Sequence, residues 1–144
     1  MASERCVRWE PVPGIQSACA DISFQLDSRD QLTATMHFSH MHGQPKRDLS
    51  LRFAGVVALR WVQESFDVIH LPKPWPQVGS GAQPTWTFPL LQIQHSTWLA
   101  EHQSANSPAA EGRIHFALIS LNDLVHILAF PDVECKWGDA NSDT

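Results

Sequence analysis

Three imidazoles fall within six residues at His37, His40 and His42. Neutral imidazole is a good zinc ligand, and a three-histidine set leaves a fourth position open for water or substrate. The spacing counts against a site made from these three alone. His37 ends an alternating run and is expected on the solvent face of a strand, whereas His40 and His42 follow in a polar loop. Zinc ligands must converge, usually from separate elements, and no Asp or Glu lies inside the cluster to act as a base. The three are metal candidates set against the plainer reading of a polar hairpin end, and no resident cofactor is expected.

A second set is His115 and His126, on two neighbouring expected strands where they can face each other, with Asp123 nearby. That resembles an acid–base set, but a histidine on a sheet is more often satisfied by a neighbour than catalytic, and no nucleophile stands beside the pair in the sequence. Ser120 lies outside any G-x-S-x-G elbow, and the chain has no P-loop, no G-x-G-x-x-G and no H-E-x-x-H. Three widely spaced cysteines without a C-x-x-C pair argue against a disulfide framework or a zinc ribbon. The chain therefore reads as a non-enzyme.

Of the six tryptophans, Trp9, Trp61, Trp98 and Trp137 adjoin apolar periodic runs and are expected in the core. Trp75 sits apart from any such run, inside Leu71-Pro72-Lys73-Pro74-Trp75-Pro76. A tryptophan buries a large area at little rotamer cost, which enriches it at contact hot spots. Glu64, Phe66, Asp67 and Trp75 are accordingly the expected partner-binding patch, with a fold-back lid on the sheet as the alternative for Trp75.

These groups need elements to hold them, and most of the chain has a period of two. Ile22, Phe24 and Leu26 alternate with polar residues, Asp27 to Asp30 is a turn signal, and Leu32, Ala34, Met36 and Phe38 alternate again; this predicts a hairpin with one buried face. Leu49 to Val62 predicts one long strand bent at Gly55, with Leu49, Leu51, Phe53, Leu59 and Trp61 on a common face. Trp86, Phe88 and Leu90 suggest a strand that Pro89 should confine to an edge or bulge. Ser96 to Gln103 predicts a capped helical turn. Ile114 to Leu118 reads as a strand, and 121–129 fits strand or helix, with strand preferred for its β-branched residues and the stop at Pro131. Val133, Cys135 and Trp137 close the sheet.

The expected fold is mainly β, with α+β as the alternative: one domain over 1–144, an antiparallel sheet of six to eight strands, curved or sandwich-like, with one or two short helical turns. Residues 1–16 read as an irregular lead-in and 138–144 as a polar tail. The hydrophobic fraction of 43% is enough for a core in 144 residues. No apolar run approaches the ~18 residues of a membrane span, and the N-terminus lacks an apolar signal stretch, so a cytoplasmic protein with no membrane partner is expected. A net charge of −5 argues against nucleic acid, which needs clustered Lys and Arg, and suits a basic protein partner.

The order of motifs resembles a known group. Trp9, Val12, Pro13 and Gly14 come first, then a strand ending Arg60-Trp61-Val62-Gln63-Glu64. Phe88 to Leu91 leads into Ser96 to Leu99, and His115 to Ala129 precedes Trp137. Over most of its length the chain resembles small bacterial immunity proteins that neutralise polymorphic or secretion-system toxins. The resemblance implies a protein encoded beside a toxin that binds it and occludes its active site, as a monomer or homodimer, and it carries no catalytic residues. The residues themselves leave two alternatives: a small-molecule or metal-binding β domain using the histidines, possibly an enzyme, and an assembly or adaptor subunit dimerising through the apolar face of 49–62.

Overall fold

The computed structural model describes residues 3–15, 19–38, 47–63, 76, 88–104, 111–121 and 123–138. The chain order is β1 (Arg5–Arg8), β2 (Asp21–Ser28), β3 (Gln31–Phe38), β4 (Arg47–Phe53), β5 (Ala58–Gln63), β6 (Leu90–Gln94), α1 (Thr97–Ser104), β7 (Ile114–Ile119), β8 (Asp123–Ala129) and β9 (Glu134–Trp137). The strands form two antiparallel sheets, one ordered β1-β6-β7-β8-β5 and the other β2-β3-β4-β9. The mainly β, sandwich-like expectation is what the structure shows, with one short helix among the described residues.

Alternation explains how the layers pack. In β3 and β4, Leu32, Ala34, Met36, Phe38, Leu49, Leu51 and Phe53 are all buried, and their polar neighbours face outward. In the five-stranded sheet Phe116 pairs with Ile127 and Leu118 with Val125 on one face. Phe53 and Phe116 join the layers edge to face, with centroids 5.3 Å apart, and Trp9 closes the triangle at 4.6 Å from Phe116 and 6.2 Å from Phe53. Trp9 thus pins the lead-in to the core, as its position suggested. Each such aromatic pair contributes about 1 kcal/mol beyond the area it buries.

Three elements differ from the reading of the sequence. Arg5–Arg8, within the expected lead-in, is a strand, because it finds an edge: it pairs with β6 from Arg5↔Gln94 to Arg8↔Leu91. β6 begins one residue after Pro89 and pairs on both sides, so it is interior; a proline just ahead of a strand removes no ladder donor from it.

The third difference matters most. Leu49 to Val62 is two strands in two sheets, not one bent strand. Gly55 adopts φ +64°, and a Cβ there would overlap the ring of Phe130. Arg113 holds the corner from the far side, with Nε donating to the Gly55 carbonyl at 2.7 Å and the guanidinium lying 3.7 Å from the Phe130 ring centroid. The face shared by Leu49, Leu51 and Phe53 therefore does not continue: Leu59 is 47% and Trp61 is 61% exposed. The core placement expected of Trp61 is overturned.

The 121–129 ambiguity resolves as β8. Leu124 to Ala129 are all buried; the sandwich covers one face, and Trp98 of α1 packs against His126 on the other. A strand covered on both faces shows no alternation, so its periodicity could not separate it from a buried helix.

Candidate functional site

Three places bring together groups that could act on another molecule. The first is the edge of β5. An edge strand presents unpaired backbone N–H and C=O groups, and proteins usually blunt it with charge, proline or a bulge. Among the described strands four are edges. β1 carries Arg5 and Arg8, with Arg8 paired to Glu10 at 2.8 Å. β2 carries Asp21 and Asp27 and a register shift between Leu26 and Ser28. β9 carries Glu134 and Lys136 in four residues. β5, Ala-Leu-Arg-Trp-Val-Gln, has no proline, no carboxylate and a regular register against β8 from Ala58↔Leu128 to Gln63↔Asp123. It alone carries two large apolar side chains, Leu59 and Trp61, both exposed.

The expected patch of Glu64, Phe66, Asp67 and Trp75 lies outside the described residues, though Glu64 directly follows β5 in the chain. Leu59 and Trp61 escaped sequence reasoning because their alternation matched that of the buried Leu49, Leu51 and Phe53. The only available signal was Gly55, read as a bend when it is a change of sheet.

The second place is the outer face of the five-stranded sheet, beneath α1. Ser96 caps the helix, its Oγ accepting from the Leu99 N–H at 3.0 Å. His95, at φ +56°, turns the chain from β6 into this cap. Ser96 Oγ lies 2.7 Å from His115 Nδ1, and His115 Nε2 lies 2.8 Å from His126 Nδ1. The two histidines are diagonal neighbours on one face, since His115 pairs with Leu128 and His126 with Ala117. Trp98 packs edge to face on both rings, at 5.1 and 6.0 Å.

Burial, reinforced by His126 and then Arg60, holds His115 down at about 3, so it is neutral at ordinary pH. With Ser96 donating to Nδ1, Nε2–H donates onward to His126. Asp123 does not join them: three residues from His126 it falls on the opposite face of β8, with its N–H donating to Ser120 Oγ at 3.0 Å. The pair does meet, as its strands suggested, and Asp123 is not part of it. An open cleft of about 780 Å³ adjoins, lined by Ser96, His115, Gln94, Leu99, Gln103 and Arg113 among others.

The third place is the polar outer face of the four-stranded sheet. His37 projects there, as alternation predicts. Its Nδ1 lies 2.9 Å from Asp48 Oδ1 and its Nε2 3.1 Å from Ser23 Oγ. His40 and His42 lie outside the described residues, and among the described residues no three His, Cys, Asp or Glu side chains gather as a metal site. Burial pushes the Cys6, Cys19 and Cys135 thiols up to about 12, which keeps them protonated and unreactive. No described helix is long and apolar enough to cross a membrane. No protein-family model, no curated protein and no solved structure matches the chain.

Proposed function

We propose that the chain is an immunity protein, which binds a bacterial toxin encoded beside it and occludes that toxin's active site. The observation that carries this reading is the β5 edge, where Leu59 and Trp61 stand 47% and 61% exposed on a strand with no proline, no bulge and a single charge, Arg60. A strand of this kind offers main-chain hydrogen bonds to an extended segment and apolar anchors to its side chains. Aromatic anchors of this type dominate interface energetics. Of the expected contact residues, Glu64 directly follows β5 in the chain. The net charge of −5 favours encounter with a basic partner.

The test is co-expression with the product of the adjacent gene. The expected outcome is a stoichiometric complex, rescue of growth from that product, and loss of both on Trp61→Lys with Leu59→Lys. A neighbouring product that neither binds nor harms the cell would overturn the reading. A free chain that sizes as a dimer, and becomes a monomer on Trp61→Lys, would instead favour the assembly-subunit alternative.

A further inference from the structure

Ser23, His37 and Asp48 come from three adjacent strands, and register alone brings them into line. Asp21 pairs with His37, and His37 with Asp48; Ser23, two residues along β2 from Asp21, is the diagonal neighbour of His37 on the same face. The nitrogens are used in a productive order. With Asp48 at Nδ1, the ring proton sits on Nδ1, which leaves the Nε2 lone pair for the Ser23 hydroxyl. A nucleophile bonded to a base, and that base oriented by a third group, is the arrangement that activates a serine, and it is recognised by geometry, not by sequence position.

Ser96, His115 and His126 share that order but differ in the groups that fill it. The Ser96 oxygen is taken up in capping α1, and a second imidazole, not a carboxylate, stands behind His115.

We infer that Ser23, His37 and Asp48 form a nucleophilic centre on the outer face of the four-stranded sheet, able to accept the acyl group of a small activated ester. This goes beyond the partner-binding reading and does not rest on it. The centre is open to reagents: Ser23 is exposed, and the side chains of His37 and Asp48 are 38% and 54% accessible. β2 is an edge strand, so alternate N–H groups turn away from the ladder, one of them on Ser23 or its neighbour Phe24, where a developing oxyanion could be met. A depression of about 240 Å³ lies farther along the same face, lined by Thr33, Ser50, Arg52, Glu134, Cys135 and Lys136.

In the step, Ser23 Oγ bonds to the ester carbonyl carbon, and its proton passes to His37 Nε2. The bond to the leaving oxygen breaks, and the departing alkoxide takes that proton from His37. Water then repeats the sequence at the acyl carbon, releasing the carboxylic acid and restoring the serine. Asp48 is the positioning residue; Ser23 and His37 are catalytic.

The test uses the free full-length chain and a fluorophosphonate probe, which forms an O–P bond at an activated serine with loss of fluoride. The expected adduct maps to the peptide containing Ser23 and is absent in Ser23→Ala. His37→Gln slows labelling by about 100-fold or more, the range a general base supplies. Added imidazole restores part of the rate to His37→Ala, a response that a merely structural histidine would not give. Asp48→Asn slows labelling, and Asp48→Glu retains most of it. All three side chains are exposed, so the variants should keep the wild-type circular dichroism spectrum, and rates are compared only among those that do. No adduct on the folded wild-type chain, an adduct formed as fast in His37→Gln, or one on Ser96 would each overturn the inference. None of these results bears on whether the chain binds a toxin.

Discussion

The imidazoles of His115 and His126 meet at 2.8 Å, Nε2 to Nδ1, between the adjacent strands β7 and β8 of the sheet that carries the helix. Burial lowers His115 from 6.5 to about 3, so the unfolded chain binds a proton there that the folded chain refuses. Its contribution to stability is complete above about pH 6.5 and is lost as pH falls from there towards 3. A shift of that size corresponds to at most about 5 kcal/mol. Urea midpoints should fall steadily from pH 7 to pH 4, and His115→Gln should flatten that slope. An equal slope in the variant would remove His115 as its source.

Ser96 has two tasks, ending α1 and hydrogen-bonding His115 Nδ1. Ser96→Ala leaves the Leu99 N–H and the His115 Nδ1 without their partner. A lost cap costs about 1 kcal/mol and an unsatisfied buried acceptor about 1–3 kcal/mol. Equilibrium denaturation should show a loss of about 2–4 kcal/mol, with Ser96→Thr much closer to wild type.

Gly55 holds a left-handed turn under the Phe130 ring. Gly55→Ala meets both a backbone penalty of about 1 kcal/mol and steric overlap of about 1–3 kcal/mol. The expected loss is near 3 kcal/mol by denaturant midpoint. Phe130→Ala introduced beside it should recover part of that loss, because it removes the overlapping ring.

Leu59 and Trp61 are exposed, so their replacement should leave the fold intact. Trp61→Ala should change unfolding free energy by less than about 1 kcal/mol. The same change should weaken the proposed complex with the adjacent gene product by at least about 2 kcal/mol, or roughly 30-fold in Kd, as for a central aromatic anchor. Titration calorimetry with the adjacent gene product separates the two. An unaltered Kd would move the contact surface away from β5.

Much of the layer structure was legible in the residues. Leu32 to Phe38 alternates because one face meets a core and the other meets water, although Leu26 of the preceding strand stands 65% exposed, and Ser96 announces α1 because few other residues can satisfy its first N–H groups. The meeting of His115 with His126 was also legible, since both lie on strands that follow one another in the chain. Ser23, His37 and Asp48 were not, because their spacings of 14 and 11 residues reflect hairpin lengths and carry no signature of their own. Trp61 was misread because alternation records which residues share a face of a strand, not whether another layer covers that face.

The sequence by itself determined the β period, the helix cap, the turn between β2 and β3 and the polarity of the two faces of β3 and β4, since all of these follow from interactions within a few residues. Only the tertiary structure decided that the chain changes sheets at Gly55, that 124–129 is covered on both sides, and that β5 is left as an edge with Trp61 in the open. Those outcomes depend on which distant strands arrive to pair and pack: Phe130 and Arg113 at the corner, α1 over β8, and no further described strand beyond β5. Hydrophobic burial is non-directional and rewards any covering surface alike, so the local pattern cannot name the partner that supplies it.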